Sequence, residues 1–76
     1  MLELFILPNC PYCLKVLKFL DENNIKYATH SILEPDNKEK LMKLGGKVQV
    51  PFLIDKTKNI QMYESDDIID HIKSSL

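Results

Sequence analysis

The sequence predicts an α/β fold with the element order β-α-β-α-β-β-α, in which a four-stranded mixed sheet carries helices on both faces. Three observations lead to this prediction. Short apolar or alternating runs, which suit strands, separate longer stretches in which apolar residues have a helical spacing. A strand, a helix and a second strand in succession form a right-handed parallel unit. Two closely spaced strands in the second half form a hairpin, which adds antiparallel strands to the sheet.

The first half of the chain predicts the parallel unit. The run Leu2–Leu7 is apolar except for one glutamate, which suits a central strand buried on both faces. A helix begins at Pro11, because a proline at the first helical position loses no hydrogen bond. The apolar stripe of this helix consists of Cys13, Val16, Leu17 and Leu20. Asn23 and Asn24 end the helix, and the alternating segment 25–32 forms the second strand.

The middle of the chain predicts a second helix. Asp36 and Glu39 have the spacing of a capping box, in which the two side chains satisfy backbone N–H groups at a helix start. The helix ends at the Gly45-Gly46 pair, because glycine readily adopts the left-handed conformation that closes a helix. Its inward residues are expected to be Leu41, Met42 and Leu44.

The hairpin and a third helix complete the predicted fold. Pro51 cannot donate a hydrogen bond within a sheet, so the third strand begins at Phe52. Residues 55–59 connect it to a return strand at 60–63. Ser65 is the expected N-cap of the last helix, because serine oxygens accept hydrogen bonds from the first free N–H groups. The inward residues of this helix are Ile68, Ile69 and Ile72.

Length and composition exclude several classes of protein. The 76 residues suffice for one domain, residues 1–76, with an ordinary globular composition. The ten basic residues are all lysines and the net charge is −1, which argues against a nucleic-acid binder. No apolar run reaches the roughly 18 residues of a membrane span, and the start lacks the basic segment of a signal peptide. We therefore expect a cytoplasmic monomer that does not bind membranes.

The segment Cys10-Pro11-Tyr12-Cys13 lies where the first strand leads into the first helix. A C-x-x-C pair at such a junction is typical of a thiol–disulfide redox site. The first backbone N–H groups of a helix have no helical partner, and the helix dipole is positive at that end. Both effects favour a thiolate, so we predict a lowered pKa for Cys10 and a nucleophilic role. Cys13 lies one turn on, towards the apolar stripe, and is expected to be the more buried, resolving thiol.

Other interpretations of the possible ligand residues are less favoured. The two cysteines could be half of a zinc site, but only His30 and His71 could add to them and neither is near in sequence. They could also be inert core residues, although the flanking prolines and the helix start argue against it. A further cluster, for which a solvated helix face is the preferred interpretation, consists of Asp66, Asp67, Asp70 and His71. No metal site is predicted.

Three segments resemble dithiol glutaredoxins and cover nearly the whole chain. Leu7–Cys13 is similar to the active-site segment of that family, whose hallmark is Cys-Pro-Tyr-Cys. Gly46–Pro51 resembles the family's Gly-Arg/Lys-x-Thr-Val-Pro segment, and Ser65–Ile68 resembles its Cys/Ser-Asp-Asp-Leu segment. The resemblance implies a minimal thioredoxin-like fold and a thiol–disulfide oxidoreductase that uses glutathione as its co-substrate, with no tightly bound cofactor. Its partners would be glutathione and disulfide-bonded or glutathionylated proteins.

The resemblance also implies the residues of a glutathione site. Cys10 would be the nucleophile and Cys13 the resolving cysteine, and the pair would form the redox disulfide. Pro51 would follow a cis peptide bond, and the backbone of Val50 would pair with the cysteine of glutathione. Tyr12 would line the groove.

Charged and polar groups complete the implied glutathione site. Lys47 would offer its ammonium to a glutathione carboxylate. Ser65 and Asp66 would present backbone N–H groups to the γ-glutamyl carboxylate, which agrees with the anion affinity of a helix N-terminus.

Two departures from the glutaredoxin pattern affect the expected donor. Leu7 stands where the family usually has lysine, which removes a cation near the thiolate. Tyr63-Glu64 stands where the family has a glycine pair, and these larger side chains would narrow the groove or repel an anion. Glu64-Ser65 instead resembles the Glu-Ser of glutathione transferase N-terminal domains, which also hold the γ-glutamyl group.

Two alternatives follow for the function. One is a disulfide reductase recharged by a flavoprotein reductase or another small thiol, as the departures at Leu7 and Tyr63-Glu64 suggest. The other belongs to a different class, a module that holds an iron–sulfur cluster between two protomers through Cys10 and glutathione. Pro11-Tyr12 argues against the second, because similar cluster carriers usually have a small residue after the nucleophile.

Overall fold

The computed structural model describes residues 2–76, whose strands form one four-stranded sheet. The elements are β1 (Leu2–Ile6), α1 (Pro11–Glu22), β2 (Tyr27–Ser31), α2 (Pro35–Gly45), β3 (Phe52–Asp55), β4 (Ile60–Tyr63) and α3 (Ser65–Ser74). The strand order is β2-β1-β3-β4, with β1 parallel to β2 and antiparallel to β3, and with β3 antiparallel to β4. The predicted element order and mixed sheet are confirmed.

Helices cover both faces of the sheet because the central strand is apolar on both sides. Leu4 and Phe5 are consecutive, so they point to opposite faces, and both are fully buried. The larger core, on the Leu4 side, joins α1 and α3 and contains Leu4, Val16, Leu20, Leu53, Ile68, Ile69 and Ile72. The smaller core, on the Phe5 side, joins α2 and contains Phe5, Leu41, Phe52 and Ile54. The inward residues predicted for the last helix are therefore confirmed.

The second helix differs from the prediction at its start and on its inner face. It begins at Pro35 with Glu34 as the N-cap and without a side-chain capping bond. The capping box is therefore wrong, because Asp36 already lies inside the helix. Of the three expected inward residues only Leu41 is buried, while Met42 is 50% exposed and Leu44 is also exposed. Only a narrow stripe of the helix touches the sheet, so Met42 and Leu44, which lie beside that stripe, fall outside the core.

The second strand is shorter than the segment 25–32 that the alternation predicted. The backbone N–H of Ile25 donates to the carbonyl of Leu20 at 3.0 Å and so belongs to the end of α1. Asn24 has a left-handed backbone with φ 55°, which turns the chain after the helix as expected of asparagine. The sheet pairing is therefore confined to Tyr27–Ser31.

The register brings three chain segments to one edge of the sheet. Phe5, Phe52 and Tyr63 are aligned across β1, β3 and β4. Because β3 runs opposite to the other two strands, the residues after β1, before β3 and after β4 all lie beyond this edge. The starts of α1 and α3 and the segment 46–51 therefore meet there.

Among the helices of residues 2–76, none is both long enough and apolar enough to cross a bilayer.

Candidate functional site

A tight turn delivers the first cysteine to the start of α1. The backbone N–H of Cys10 donates to the carbonyl of Leu7 at 3.1 Å, and Asn9 between them has a left-handed φ of 66°. Asparagine tolerates that conformation better than most residues. Cys10 is the N-cap of α1, its carbonyl accepts the first helical bond from Leu14 at 2.9 Å, and Pro11 occupies the first helical turn. The sequence-predicted placement of the cysteine before the helix is confirmed.

The environment of Cys10 favours its ionised form. The residue is half-buried, and burial by itself raises the pKa of the thiol. Hydrogen bonds from the backbone N–H and the thiol of Cys13 and from the backbone N–H of Tyr12 outweigh burial, so the pKa of Cys10 lies below its ordinary value. The first turn of α1 carries no acidic side chain that would oppose this effect. The predicted direction of the shift is confirmed.

The environment of Cys13 instead favours its neutral thiol. Its side chain is 1% exposed and belongs to the buried face of α1. Burial raises the pKa of this thiol to about 11, and the charge and hydrogen bond of Cys10 act in the same direction, against a hydrogen bond with the Leu7 backbone. Both cysteines are free thiols. The site therefore holds one thiol that ionises readily beside one that keeps its proton.

A groove of about 480 Å³ lies at this edge of the sheet, and Tyr12, which stands between the two cysteines in the chain, lines it while Cys10 and Cys13 do not. The lining residues are Tyr12, Gln49, Val50, Pro51, Glu64, Ser65, Asp66 and Asp67. Five of these belong to the site predicted from the sequence, and they come from α1, from the segment before β3 and from α3. The Val50–Pro51 peptide bond is cis, as the resemblance implied. The groove therefore brings together most of the predicted glutathione site.

The start of α3 differs from the prediction by one residue. Glu64 is the N-cap, with a backbone φ of 74° that is uncommon outside glycine, and its carbonyl accepts a bond from Ile68 at 2.9 Å. Ser65 is the first helical residue, is buried, and makes no side-chain capping bond. The prediction of Ser65 as N-cap is therefore wrong. The backbone N–H groups of Ser65 and Asp66 still precede the first helical bond, so they can face an anion in the groove.

Lys47 lies outside the lining of the groove. Its ammonium sits 4.7 Å from the centre of the Tyr63 ring, and its backbone carbonyl accepts a 2.6 Å hydrogen bond from the Tyr63 hydroxyl. Tyr63 is directed towards the end of α2 and packs on Phe52, with ring centres 4.6 Å apart. Of the two side chains expected to narrow the groove, Glu64 lines it and Tyr63 does not.

Two contacts of the site were not predicted. Lys15 of α1 forms an ion pair with the carboxylate of Asp66 at the start of α3. The side-chain amide of Gln49 donates to the carboxylate of Glu64 at 2.9 Å. Each contact joins residues that are distant in sequence, and the solvent-facing position of Lys15 on its helix gave no signal of the partner.

The histidines are paired with carboxylates away from the cysteines. His30 bonds Glu3 at 2.9 Å, and His71 bonds Asp55 at 2.9 Å with both side chains nearly buried. The expectation that His71 belongs to a solvated face is therefore wrong, because α3 turns it towards the end of β3. Within residues 2–76, histidine, cysteine and acidic side chains do not come together in a group of three or more that could hold a metal.

Comparison with known proteins assigns the family. Residues 4–75 match the sequence profile of the glutathione S-transferase N-terminal domain. The chain belongs to this family. Escherichia coli (strain K12) glutaredoxin 2 is 35% identical to this transferase-family chain over 71 residues, which cover 93% of the chain and 32% of the relative. The chain thus spans about a third of the length of the glutaredoxin 2 proteins from three Escherichia coli strains.

Solved structures agree with this assignment to the transferase N-terminal domain family. Glutaredoxin 2 from Salmonella typhimurium in complex with glutathione superposes with a TM-score of 0.80 at 25% identity, covering 95% of this chain and 32% of that one. A thioredoxin-like protein superposes with a TM-score of 0.82 and covers all of both chains, at 19% identity. The predicted thioredoxin-like fold and the resemblance to glutaredoxins are therefore confirmed.

Proposed function

We propose that this chain is a thiol–disulfide oxidoreductase of the glutaredoxin type, which reduces protein disulfides and glutathione mixed disulfides with glutathione as electron donor. The contrast between the two thiols carries the proposal. The lowered pKa of Cys10 supports a nucleophilic role, because a thiolate is the attacking species in disulfide exchange. The raised pKa of Cys13, about 11, and its burial support the role of a resolving thiol that reacts second.

The groove supports glutathione as the co-substrate. Its lining includes Val50, whose backbone would pair with the cysteine of the tripeptide, and Tyr12, which flanks it. Backbone N–H groups of Ser65 and Asp66 at the start of α3 would hold the γ-glutamyl carboxylate. Membership of the transferase N-terminal domain family and similarity to a glutaredoxin solved with glutathione agree with this assignment.

In the dithiol route the Cys10 thiolate attacks one sulfur of a protein disulfide. A bond forms between Cys10 and that sulfur, and the other protein sulfur leaves as a thiolate and takes a proton. Cys13 then gives up its proton and attacks the Cys10 sulfur, which releases the second protein thiol and leaves a Cys10–Cys13 disulfide. Two glutathione molecules reduce this disulfide and leave as oxidised glutathione, so the two electrons gained by the substrate come from glutathione.

In the monothiol route only one cysteine reacts. The Cys10 thiolate attacks the glutathione sulfur of a glutathionylated protein, the protein thiol leaves, and Cys10 carries the glutathione in a mixed disulfide. A second glutathione attacks that disulfide and releases oxidised glutathione and the Cys10 thiolate. Both routes depend on abundant free thiols, which agrees with a reducing compartment such as the cytoplasm.

Turnover of a glutathione mixed disulfide tests the proposal directly. The assay couples glutathione, glutathione reductase and NADPH and compares the unmodified protein with Cys10→Ser. Turnover that depends on Cys10 supports glutaredoxin activity. Absence of turnover, in a folded protein whose Cys10 still alkylates readily at neutral pH, contradicts the choice of glutathione while leaving the redox site in place.

A second electron donor is favoured by the charge of the groove. Glu64, Asp66 and Asp67 place three carboxylates along it, and glutathione is itself an anion. Lys47, the expected cation, lies over the Tyr63 ring and does not line the groove. A flavoprotein reductase would reduce the Cys10–Cys13 disulfide by exchange between protein dithiols, without a tripeptide in the groove. NADPH oxidation with a thioredoxin reductase, without glutathione, would identify this donor.

A further inference from the structure

We infer that Tyr63 is a positioning residue, which holds the segment 47–51 against β4 and so strengthens the binding of glutathione. This inference rests on the proposed function, because it concerns the affinity of the same groove. Residues 47–51 are called the groove segment below. It contains Gln49, Val50 and Pro51, three of the residues that line the groove.

Tyr63 makes two contacts with the groove segment, and both are with Lys47. Its hydroxyl donates a 2.6 Å hydrogen bond to the backbone carbonyl of Lys47, and the Lys47 ammonium lies 4.7 Å from the centre of its ring. The ring is itself held by Phe52 in the smaller core, with the two ring centres 4.6 Å apart. The start of the groove segment is therefore tied to a ring that cannot move freely.

The end of α2 is built to admit the tyrosine. Gly45 is the last residue of α2, and a β-carbon at this position would overlap the hydroxyl oxygen and ring carbons of Tyr63. Its neighbour Gly46 has a left-handed φ of 86°, with open space around it. Glycine is required at position 46 for its left-handed backbone and at position 45 for the space that a side chain would fill. Because Gly45 leaves that space free, the Tyr63 hydroxyl reaches Lys47.

A second contact holds the middle of the groove segment. The side-chain amide of Gln49 donates to the Glu64 carboxylate at 2.9 Å. Tyr63, the last residue of β4, and Glu64, the N-cap of α3, thus bind Lys47 and Gln49 of the groove segment, just before Val50. The segment lies outside the helices and strands. Its far end is held by the fold, because Pro51 is buried and Val50 packs against the smaller core, whereas Val48 is 39% exposed. The contacts of Lys47 and Gln49 therefore hold the half of the segment that lies nearer α2.

These contacts are expected to affect the affinity for glutathione more than the reactivity of Cys10. A loop that is already held in its bound conformation loses less entropy when the ligand arrives. Removing the Tyr63 hydroxyl should therefore weaken glutathione binding, while the thiolate at the start of α1, whose hydrogen bonds come from Tyr12 and Cys13, should keep its reactivity.

Tyr63→Phe tests the inference, because it keeps the ring and removes the bond to Lys47. Tyr27→Phe is the matched control: its hydroxyl also makes one hydrogen bond, to Asp21 at 2.8 Å, away from the groove. We expect Tyr63→Phe to raise the KM for glutathione about two- to tenfold, the equivalent of one hydrogen bond, with kcat within about twofold. Hydrogen exchange of the Val48–Val50 amides should accelerate, alkylation of Cys10 should not change, and Tyr27→Phe should leave all four readouts unchanged.

Gly45→Ala gives an independent route to the same state, because the added methyl group displaces the Tyr63 ring. It should raise the KM for glutathione at least as much as Tyr63→Phe. An unchanged KM together with unchanged exchange in Tyr63→Phe overturns the inference, as does an equal effect of Tyr27→Phe. If the unmodified protein does not turn over with glutathione, the proposed function fails. Exchange at Val48–Val50 in Tyr63→Phe then still decides whether the hydroxyl orders the groove segment.

Discussion

The first turns of α1 and α3 lie at the same edge of the sheet but carry opposite arrangements of charge. The first turn of α1 has no acidic side chain, and its free N–H groups serve the Cys10 sulfur. The first turn of α3 contains Asp66 and Asp67 and follows Glu64. Its positive end is therefore already occupied in part by the carboxylates of the chain itself.

This difference in charge suits the two helix ends to two kinds of anion, the Cys10 thiolate at α1 and an anionic ligand at α3. A thiol that must ionise readily needs a helix end without acidic side chains, because its pKa depends on how strongly the surroundings favour the charged form over the neutral one. A ligand that must arrive and leave needs weaker attraction, and carboxylates at α3 reduce it. Lys15 from α1 moderates the effect, since it pairs with Asp66 across the two helices. The predictions below test this division, from the largest expected effect to the smallest.

The largest effects are expected at the helix end without acidic side chains. Cys10→Ser should abolish turnover of a glutathionylated substrate, whereas Cys13→Ser should retain it if the monothiol route dominates, because the second thiol takes no part in that route. With a pKa of about 11, Cys13 is ionised in about one molecule in ten thousand at pH 7. Alkylation at pH 7 should therefore modify Cys10 alone. The coupled assay and mass spectrometry of the alkylated protein measure both outcomes. Equal loss of turnover in the two variants would contradict the monothiol route.

The next effect concerns the opposite end of α3, where His71 bonds Asp55 at 2.9 Å. Burial opposes the ionisation of Asp55, but hydrogen bonds from His71 and from the Lys58 backbone prevail, so its pKa is lowered. Asp55→Asn should reduce the free energy of unfolding by about 1–2 kcal/mol at pH 7, the difference between charged and neutral hydrogen bonds. Urea denaturation measures this, with Asp70→Asn as the control, an exposed carboxyl on the helix that carries His71.

The pH dependence of that loss has a definite sign. A carboxyl whose folded pKa is lowered stabilises the fold above its unfolded pKa of about 3.9, and the stabilisation disappears as the pH falls through the lower folded value. The difference in stability between the unmodified protein and Asp55→Asn should thus be complete above about pH 5 and shrink below about pH 4. A difference that stays constant down to the acid transition would show that the charge of Asp55 does not stabilise the fold. Alkylation of Cys10 at neutral pH should not change in this variant.

The sequence predicts the α1 side of the site well because the physics there is local. Pro11 marks the helix start, and the hydrogen bonds that lower the pKa of Cys10 come from residues two and three positions away. The burial of Cys13 follows from its place in the helical stripe. The strand bounds from Phe52 onwards follow in the same way from the inability of Pro51 to donate a hydrogen bond.

The remainder of the site depends on where distant segments meet, which periodicity does not determine. The ion pair of Lys15 spans 51 residues, and an exposed lysine on a helix looks the same with or without a partner. The orientation of Tyr63 depends on the missing side chain at Gly45, a relation between two elements. His71 belongs to a helix whose polar face is only partly exposed, because its far end packs against the end of β3 near Asp55.

A smaller effect is expected when the two helix ends are uncoupled. Lys15→Met keeps the apolar stem but removes the charge that pairs with Asp66, so the start of α3 becomes more acidic. The KM for glutathione should rise about two- to threefold, as expected for an exposed pair worth up to about 1 kcal/mol. The increase should shrink in high salt, which screens exposed charges. Lys18→Met, on the same helix, is the control, and an equal rise there would indicate a general loss of positive charge instead of the pair.

The smallest effect distinguishes affinity from stability at the same residue. Asp67→Asn removes a carboxylate that lines the groove and also one that stabilises the positive end of α3. The KM for glutathione should therefore fall, by roughly twofold, while the free energy of unfolding also falls by about 0.3–1 kcal/mol. Asp70→Asn, beyond the first turn, should change neither. If Asp67→Asn weakened glutathione binding instead, the carboxylate would be a direct ligand, most simply for the α-ammonium of the tripeptide, and the acidic start of α3 would select a zwitterion instead of weakening the binding of an anion.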